Sequence, residues 1–138
     1  MSVVVDASVA LRWYVAAADS APAIALLEGG DPLLAPDLVV GEVVNAAWKL
    51  VRAGEITGDH GARIAAAVPA AFSALVGAAR LSVRAFALAV ELQHPVYDCL
   101  YLALAELEDV KLVTADRRLL SRLRGSAWEE LAEPLPAS

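Results

Sequence analysis

The sequence holds a single cysteine, Cys99, so no internal disulfide can form, and no second cysteine or nearby histidine completes a zinc-ligand spacing. A reduced, cytoplasmic setting is the expectation. Cys99 follows Asp98 in an apolar stretch without a visible base and reads as buried and inert. The two histidines, His60 and His94, read as loop or helix-end residues rather than general bases. No apolar run reaches the ~20 residues of a membrane span. The nearest, Ile64 to Ala79, is broken by Pro69, Ser73 and Gly77 and reads as soluble helical structure. The opening Ser2 to Val5 lacks the basic region, apolar run and cleavage site of a signal peptide. Positive charge is short as well: 11 Lys and Arg against 17 Asp and Glu leave a net charge of −6, which argues against gripping nucleic acid by bulk electrostatics.

What the chain has in excess is apolar surface, 59% of its 138 residues, mostly alanine, valine and leucine. That length fits one domain, able to bury roughly two-thirds of the surface its unfolded form exposes. Residues 1–132 are expected to form it, with Glu133 to Ser138 as a frayed tail. Ser2 to Asp6 reads as a short buried strand and Ala7 to Ala16 as a helix. Asp19 to Glu28 reads as a helix stopped by Gly29 and Gly30, and Pro32 to Ala35 as a brief strand. Leu38 to Ala53 carries Val39, Val43, Ala46, Ala47 and Leu50 at helical spacing. Helices are expected over Asp59 to Val68, Ala70 to Leu75, Ser82 to Gln93 and Val96 to Glu108. Lys111 to Ala115 reads as a second buried strand, followed by a short helix. Alternating strands and helices predict a parallel α/β sheet covered on both faces, with ligand sites beyond the carboxyl ends of its strands. Trp13, Trp48 and Trp128 are expected in the core or at a subunit interface.

Four carboxylates interrupt this apolar pattern. Asp6 follows Val3-Val4-Val5, Glu42 lies inside Val39-Val40-Gly41-Glu42-Val43-Val44, Asp98 inside Val96-Tyr97-Asp98-Cys99-Leu100, and Asp116 follows Leu112-Val113-Thr114-Ala115. Each has an ordinary structural explanation. Asp6 and Asp116 suit helix N-caps, Asp98 a first helical turn, and Glu42 a polar stripe with Asn45 and Lys49. As a set they suggest more, because buried acids repel unless they share a partner. Convergent carboxylates suit a hard cation such as Mg²⁺ or Mn²⁺, which activates water and stabilises charge during phosphodiester hydrolysis. Ser8 and Thr114 are placed to hydrogen-bond such acids or a metal-bound water. Arg117, Arg118, Arg122 and Arg124 crowd the eight positions after Asp116, which by charge alone reads as a solvated helix face.

With these acids in place, the chain resembles a PIN-domain ribonuclease, and more narrowly a VapC-type toxin of a type II toxin–antitoxin module. The matching segments are Val4-Val5-Asp6-Ala7-Ser8-Val9-Ala10, Ala35-Pro36-Asp37-Leu38 through Glu42-Val43-Val44-Asn45-Ala46, Pro95-Val96-Tyr97-Asp98-Cys99-Leu100-Tyr101-Leu102-Ala103, and Leu112-Val113-Thr114-Ala115-Asp116-Arg117-Arg118-Leu119. They occur in the family's order across nearly the whole chain. The resemblance implies a three-layer α/β/α domain in which Asp6, Glu42, Asp98 and Asp116 bind Mg²⁺ or Mn²⁺ and cleave RNA, with Ser8, Asn45 and Thr114 in support. It also implies a VapB-like antitoxin and a homodimer. Many PIN nucleases carry a further acid after the last motif aspartate, where this chain has Arg118, Leu119 and Leu120. One well-held ion is therefore expected, with a second dependent on substrate. Arg117 and Arg118 are expected to hold flanking RNA phosphates, and an antitoxin Arg or Lys to enter among the acids.

A receiver-like phosphoacceptor fits poorly, because Ala7 and Ser8 replace its acidic pair and Asp116 its lysine. A haloacid-dehalogenase-type phosphatase fits poorly too, with Ser8 where its second aspartate belongs. A PIN nuclease of RNA maturation, and a non-catalytic helical interaction domain, stay open as alternatives.

Overall fold

The computed structural model describes residues 1–136. Five short strands, β1 (Val3–Val5), β2 (Leu33–Pro36), β3 (Ala74–Val76), β4 (Leu112–Thr114) and β5 (Ala132–Pro134), form one sheet in the order β3-β2-β1-β4-β5. Every pairing is parallel, with Val4 opposite Leu34's neighbourhood on one side through the register Val4↔Leu34 and opposite Leu112 on the other. The chain walks outward from β1 to β2 and β3, then returns to β4 on the opposite side of β1. That reversal creates a switch point at the carboxyl ends of β1 and β4, where open parallel sheets place their ligands.

Helices α1 (Ala7–Leu11), α2 (Ser20–Glu28), α3 (Leu38–Arg52), α4 (Gly58–Ala67), α5 (Ala78–Leu92), α6 (Val96–Glu108) and α7 (Arg117–Leu123) complete a three-layer α/β/α domain. α6 lies against β1, β2 and β4 with α5 packed on it, whereas α3 packs with α1, α4 and β2. Cys99 to Ala105 are all buried, as expected of a helix held between a sheet and a second helix. The core joins Val4, Val5, Val9, Val39, Val43, Leu88, Leu102, Leu104, Leu112 and Leu119.

Four expectations need correction. Ala70 to Leu75 is not a helix: a 3-10 turn over Val68–Ala71 leads into β3, because pairing with β2 outweighs the helical preference of its alanines. Ala7 to Ala16 stops being helical at Leu11, where turns carry Trp13 inward and its indole N–H donates to the Ala23 carbonyl. α5 begins at Ala78, four residues before the expected Ser82, since Asp37 accepts the Ala78 N–H at 3.1 Å. Glu133 and Pro134 belong to edge strand β5, paired with Val113 and Thr114, instead of a frayed tail. Proline is tolerated there because an edge strand leaves one side of its backbone unpaired. Ala137 and Ser138 lie outside the described residues. Trp13 is buried and Trp128 half-buried, but Trp48 is 55% exposed, with the Arg52 guanidinium 5.5 Å from its ring. Among the described residues, no helix is long and apolar enough to cross a membrane.

Candidate active site

Asp6 leaves the end of β1 and caps α1, accepting the Val9 N–H at 3.2 Å. Capping uses only part of its carboxylate. Ser8 donates to Oδ1 at 2.5 Å, and Thr114 at the end of β4 donates to Oδ2. The two hydroxyls also accept backbone N–H groups, Ser8 from Ala115 and Thr114 from Asp116, each at 3.0 Å. The strand ends are thus tied together through Asp6. Asp6 is only 5% exposed, and burial pushes its carboxyl up to about 6, against the lowering effect of its hydrogen bonds. The charge of Asp98 adds to the rise.

Glu42 comes from the second turn of α3, where it is half-buried, and its carboxyl is likewise raised, chiefly by burial. Tyr101, 1% exposed on α6, donates its hydroxyl to Glu42 Oε1 at 2.5 Å. Burial and the Glu42 charge raise the pKa of that hydroxyl. The charge of Asp98 raises Glu42 as it does Asp6, so three acids from distant segments feel one another. Asp98 itself sits in the first turn of α6, with His94 Nε2 at 2.6 Å from Oδ2. The tight connection from Gln93, in the left-handed conformation at φ 53°, through Pro95 sets His94 there. Asp116 caps α7 through Oδ1, which accepts the Arg118 and Leu119 N–H groups at 2.9 and 3.3 Å, and it shares a cavity with Asp98.

Sequence reasoning therefore named the acids but missed two side chains that hold them. Tyr101 lies three residues after Asp98 on α6, the spacing of one helical face, and His94 lies in the connection just before that helix. Cys99 is fully buried, with its thiol pushed up to about 11 by burial and the Asp98 charge. His60 lies elsewhere, its Nε2 2.8 Å from the Tyr14 carbonyl. Asn45 is exposed one turn beyond Glu42 and hydrogen-bonds none of the acids.

A likeness in sequence accompanies this geometry. The family model described as PIN domain matches residues 3–125. The chain belongs to the PIN-domain family. Ribonuclease VapC3 of Pyrobaculum aerophilum is 36% identical over 124 residues, spanning 88% of this chain and 95% of that protein. The crystal structure of PAE2754 from Pyrobaculum aerophilum superposes with a TM-score of 0.71 at 27% identity, over 91% of this chain and 82% of the other. In this PIN domain β5 lies beyond the matched residues, so the family pattern ends before the sheet does.

The donor set suits a hard divalent cation: all oxygen, mutually repelling, and partly anchored. Glu42 Oε2, Asp98 Oδ1 and Asp116 Oδ2 have no hydrogen-bond partner among the described residues, while the other oxygen of each is held. Asp6 has both oxygens engaged but retains lone pairs. Among the described residues, no three acids, histidines or cysteines are close enough to hold an ion as they stand. A cation would have to draw the free oxygens inward.

Proposed function

We propose that this PIN domain is the endoribonuclease toxin of a type II toxin–antitoxin pair, cutting RNA phosphodiester bonds at Asp6, Glu42, Asp98 and Asp116 with Mg²⁺ or Mn²⁺. One observation carries this reading. Asp6 and Asp116 follow β1 and β4 at the switch point, the charge of Asp98 raises the carboxyls of Asp6 and Glu42, and each of the four has an oxygen fixed by a protein donor. The ribonuclease name of the VapC3 relative agrees with it.

A bound divalent ion supplies Lewis-acid stabilisation of phosphoryl charge and a water acidic enough to attack near neutrality. The chain's part is to bind and orient. Ser8 and Thr114 fix the plane of the Asp6 carboxylate, Tyr101 fixes Glu42, and His94 steadies Asp98. Pinning one oxygen of an acid while leaving another free limits the rearrangement that ligation requires. Arg117 and Arg118 hold RNA phosphates beside the acids.

A VapB-like antitoxin would silence the site by inserting an Arg or Lys among the four acids. A homodimer is supported by the apolar stripe of Val83, Phe86 and Val90 on α5, exposed by 85%, 66% and 62%. The cytoplasm is where such a toxin meets its RNA.

The test is cleavage of total RNA by the purified chain with Mn²⁺, with fragment ends mapped. Asp6→Ala and Asp116→Ala should abolish cutting while leaving far-UV circular dichroism unchanged. Wild-type cleavage by either folded variant would sink the mechanism.

A further inference from the structure

Nine arginines and two lysines serve a chain of net charge −6, yet four of the arginines meet at one cavity. Arg117, Arg118, Arg122 and Arg124 line it together with Asp98 and Asp116 of the candidate site. All four are exposed, and among the described residues none makes an ion pair. Of the other five arginines, Arg63 and Arg80 are exposed and lie outside the cavity, and three have partners. Arg12 is bound by Asp19 at 2.5 Å and by the Ser8 carbonyl, Arg84 by Glu106 at 2.5 Å, and Arg52 lies over Trp48. Four arginines outside any ion pair thus gather on the α7 flank of the acids, outnumbering the two aspartates there, and such a cluster of like charge favours an anion.

We infer that the α7 cavity is a one-sided phosphate subsite, in which Arg122 and Arg124 extend the grip on the RNA backbone beyond Arg117 and Arg118. This rests on the nuclease reading above. The cavity shares Asp98 and Asp116 with the acid cluster, so a strand laid across those acids continues into it. Its lining includes no Phe, Tyr or Trp, and its one imidazole, His94, is held by Asp98 at 2.6 Å. Phosphate contact, rather than base stacking, is therefore what it offers, and such binding tolerates many sequences. An acidic peptide has matching charge but no use for the adjoining candidate acids, whereas an RNA strand must run past them to be cut.

Fluorescence anisotropy with a labelled single-stranded RNA of mixed sequence, in EDTA so that no cleavage occurs, separates recognition from chemistry. Arg122→Gln with Arg124→Gln should weaken binding and lower the slope of log affinity against log salt by about 1.4, two phosphate contacts on a single strand. Arg52→Gln with Arg63→Gln, outside the cavity, should leave the slope unchanged. Equal effects from both pairs, no effect from the first, or no RNA binding by the wild type would overturn the inference. So would polyglutamate binding at the cavity in place of RNA. The nuclease reading fails separately, if RNA binds as described but stays intact when Mn²⁺ is added.

Discussion

Asp6→Asn should reverse its effect on stability as pH rises. Folding lifts the Asp6 carboxyl from 3.8 to about 6, so the folded protein holds this proton more tightly than the unfolded chain does. The stability that Asp6 contributes is complete below the unfolded value and is lost as pH climbs through about 6. The fall is close to 1.4 kcal/mol per pH unit across that window, about 3 kcal/mol in all. Asparagine carries no charge to desolvate, but it presents an amide N–H₂ where Thr114 now donates, a mismatch of roughly 1 kcal/mol. In EDTA the variant should therefore be less stable than wild type by about 1 kcal/mol near pH 4, and more stable by about 2 kcal/mol near pH 8. Urea unfolding followed by circular dichroism across that range reads both limits. Glu42 and Glu106 titrate in both proteins, so the difference between them isolates Asp6. A difference that stays constant with pH would refute the claim that burial raises this carboxyl.

Adding Mn²⁺ at about 100 times its dissociation constant should stabilise wild type by roughly 2.7 kcal/mol, and calorimetric titration should show that benefit lost in Asp6→Asn with Asp98→Asn. Equal Mn²⁺ affinity in the two proteins would remove the metal site. Tyr101→Phe strips one hydroxyl from a buried pair and should cost about 1–3 kcal/mol of stability in urea unfolding. Its effect on stability should shrink when Glu42 is also changed to Gln, and additivity of the two would deny the coupling. Leu104→Ala empties a fully buried position on α6 and should cost about 2–5 kcal/mol in the same assay. Expression without an antitoxin should slow growth, relieved by Asp116→Ala at unchanged protein level in immunoblots.

The central strands were legible because β1 and β4 are covered on both sides, so their valines and leucines run unbroken until an acid ends them. The edges were not. β3 reads Ala74-Leu75-Val76 and β5 Ala132-Glu133-Pro134, segments whose own residues carry little strand preference and whose order comes from a neighbour's backbone. At the site, each acid was visible as a polar break in an apolar stretch. Tyr101 was hidden because it sits in a stretch that is buried all round, where one more aromatic side chain looks like packing. His94 was hidden by Pro95, which marks a helix boundary and makes a histidine before it look like an end rather than a holder. Local pattern announces where polarity intrudes; which oxygen meets which hydroxyl depends on how α1, α3 and α6 converge.

The bond from Thr114 to Asp6 spans 108 positions of chain. During synthesis the amino-terminal half emerges first, and Asp6, Glu42 and even Asp98 are complete as residues well before Leu112 to Thr114 can slot in beside β1. Until that central strand arrives, Asp6 lacks one of its two hydroxyl anchors and Asp116 does not yet exist. A ribosome that stalls or terminates before β4 therefore releases a chain with three acids and no closed site. On the proposed reading, activity waits on the β1/β4 closure, a contact of high sequence separation and hence slow to form, and a growing polypeptide is disarmed by its own topology.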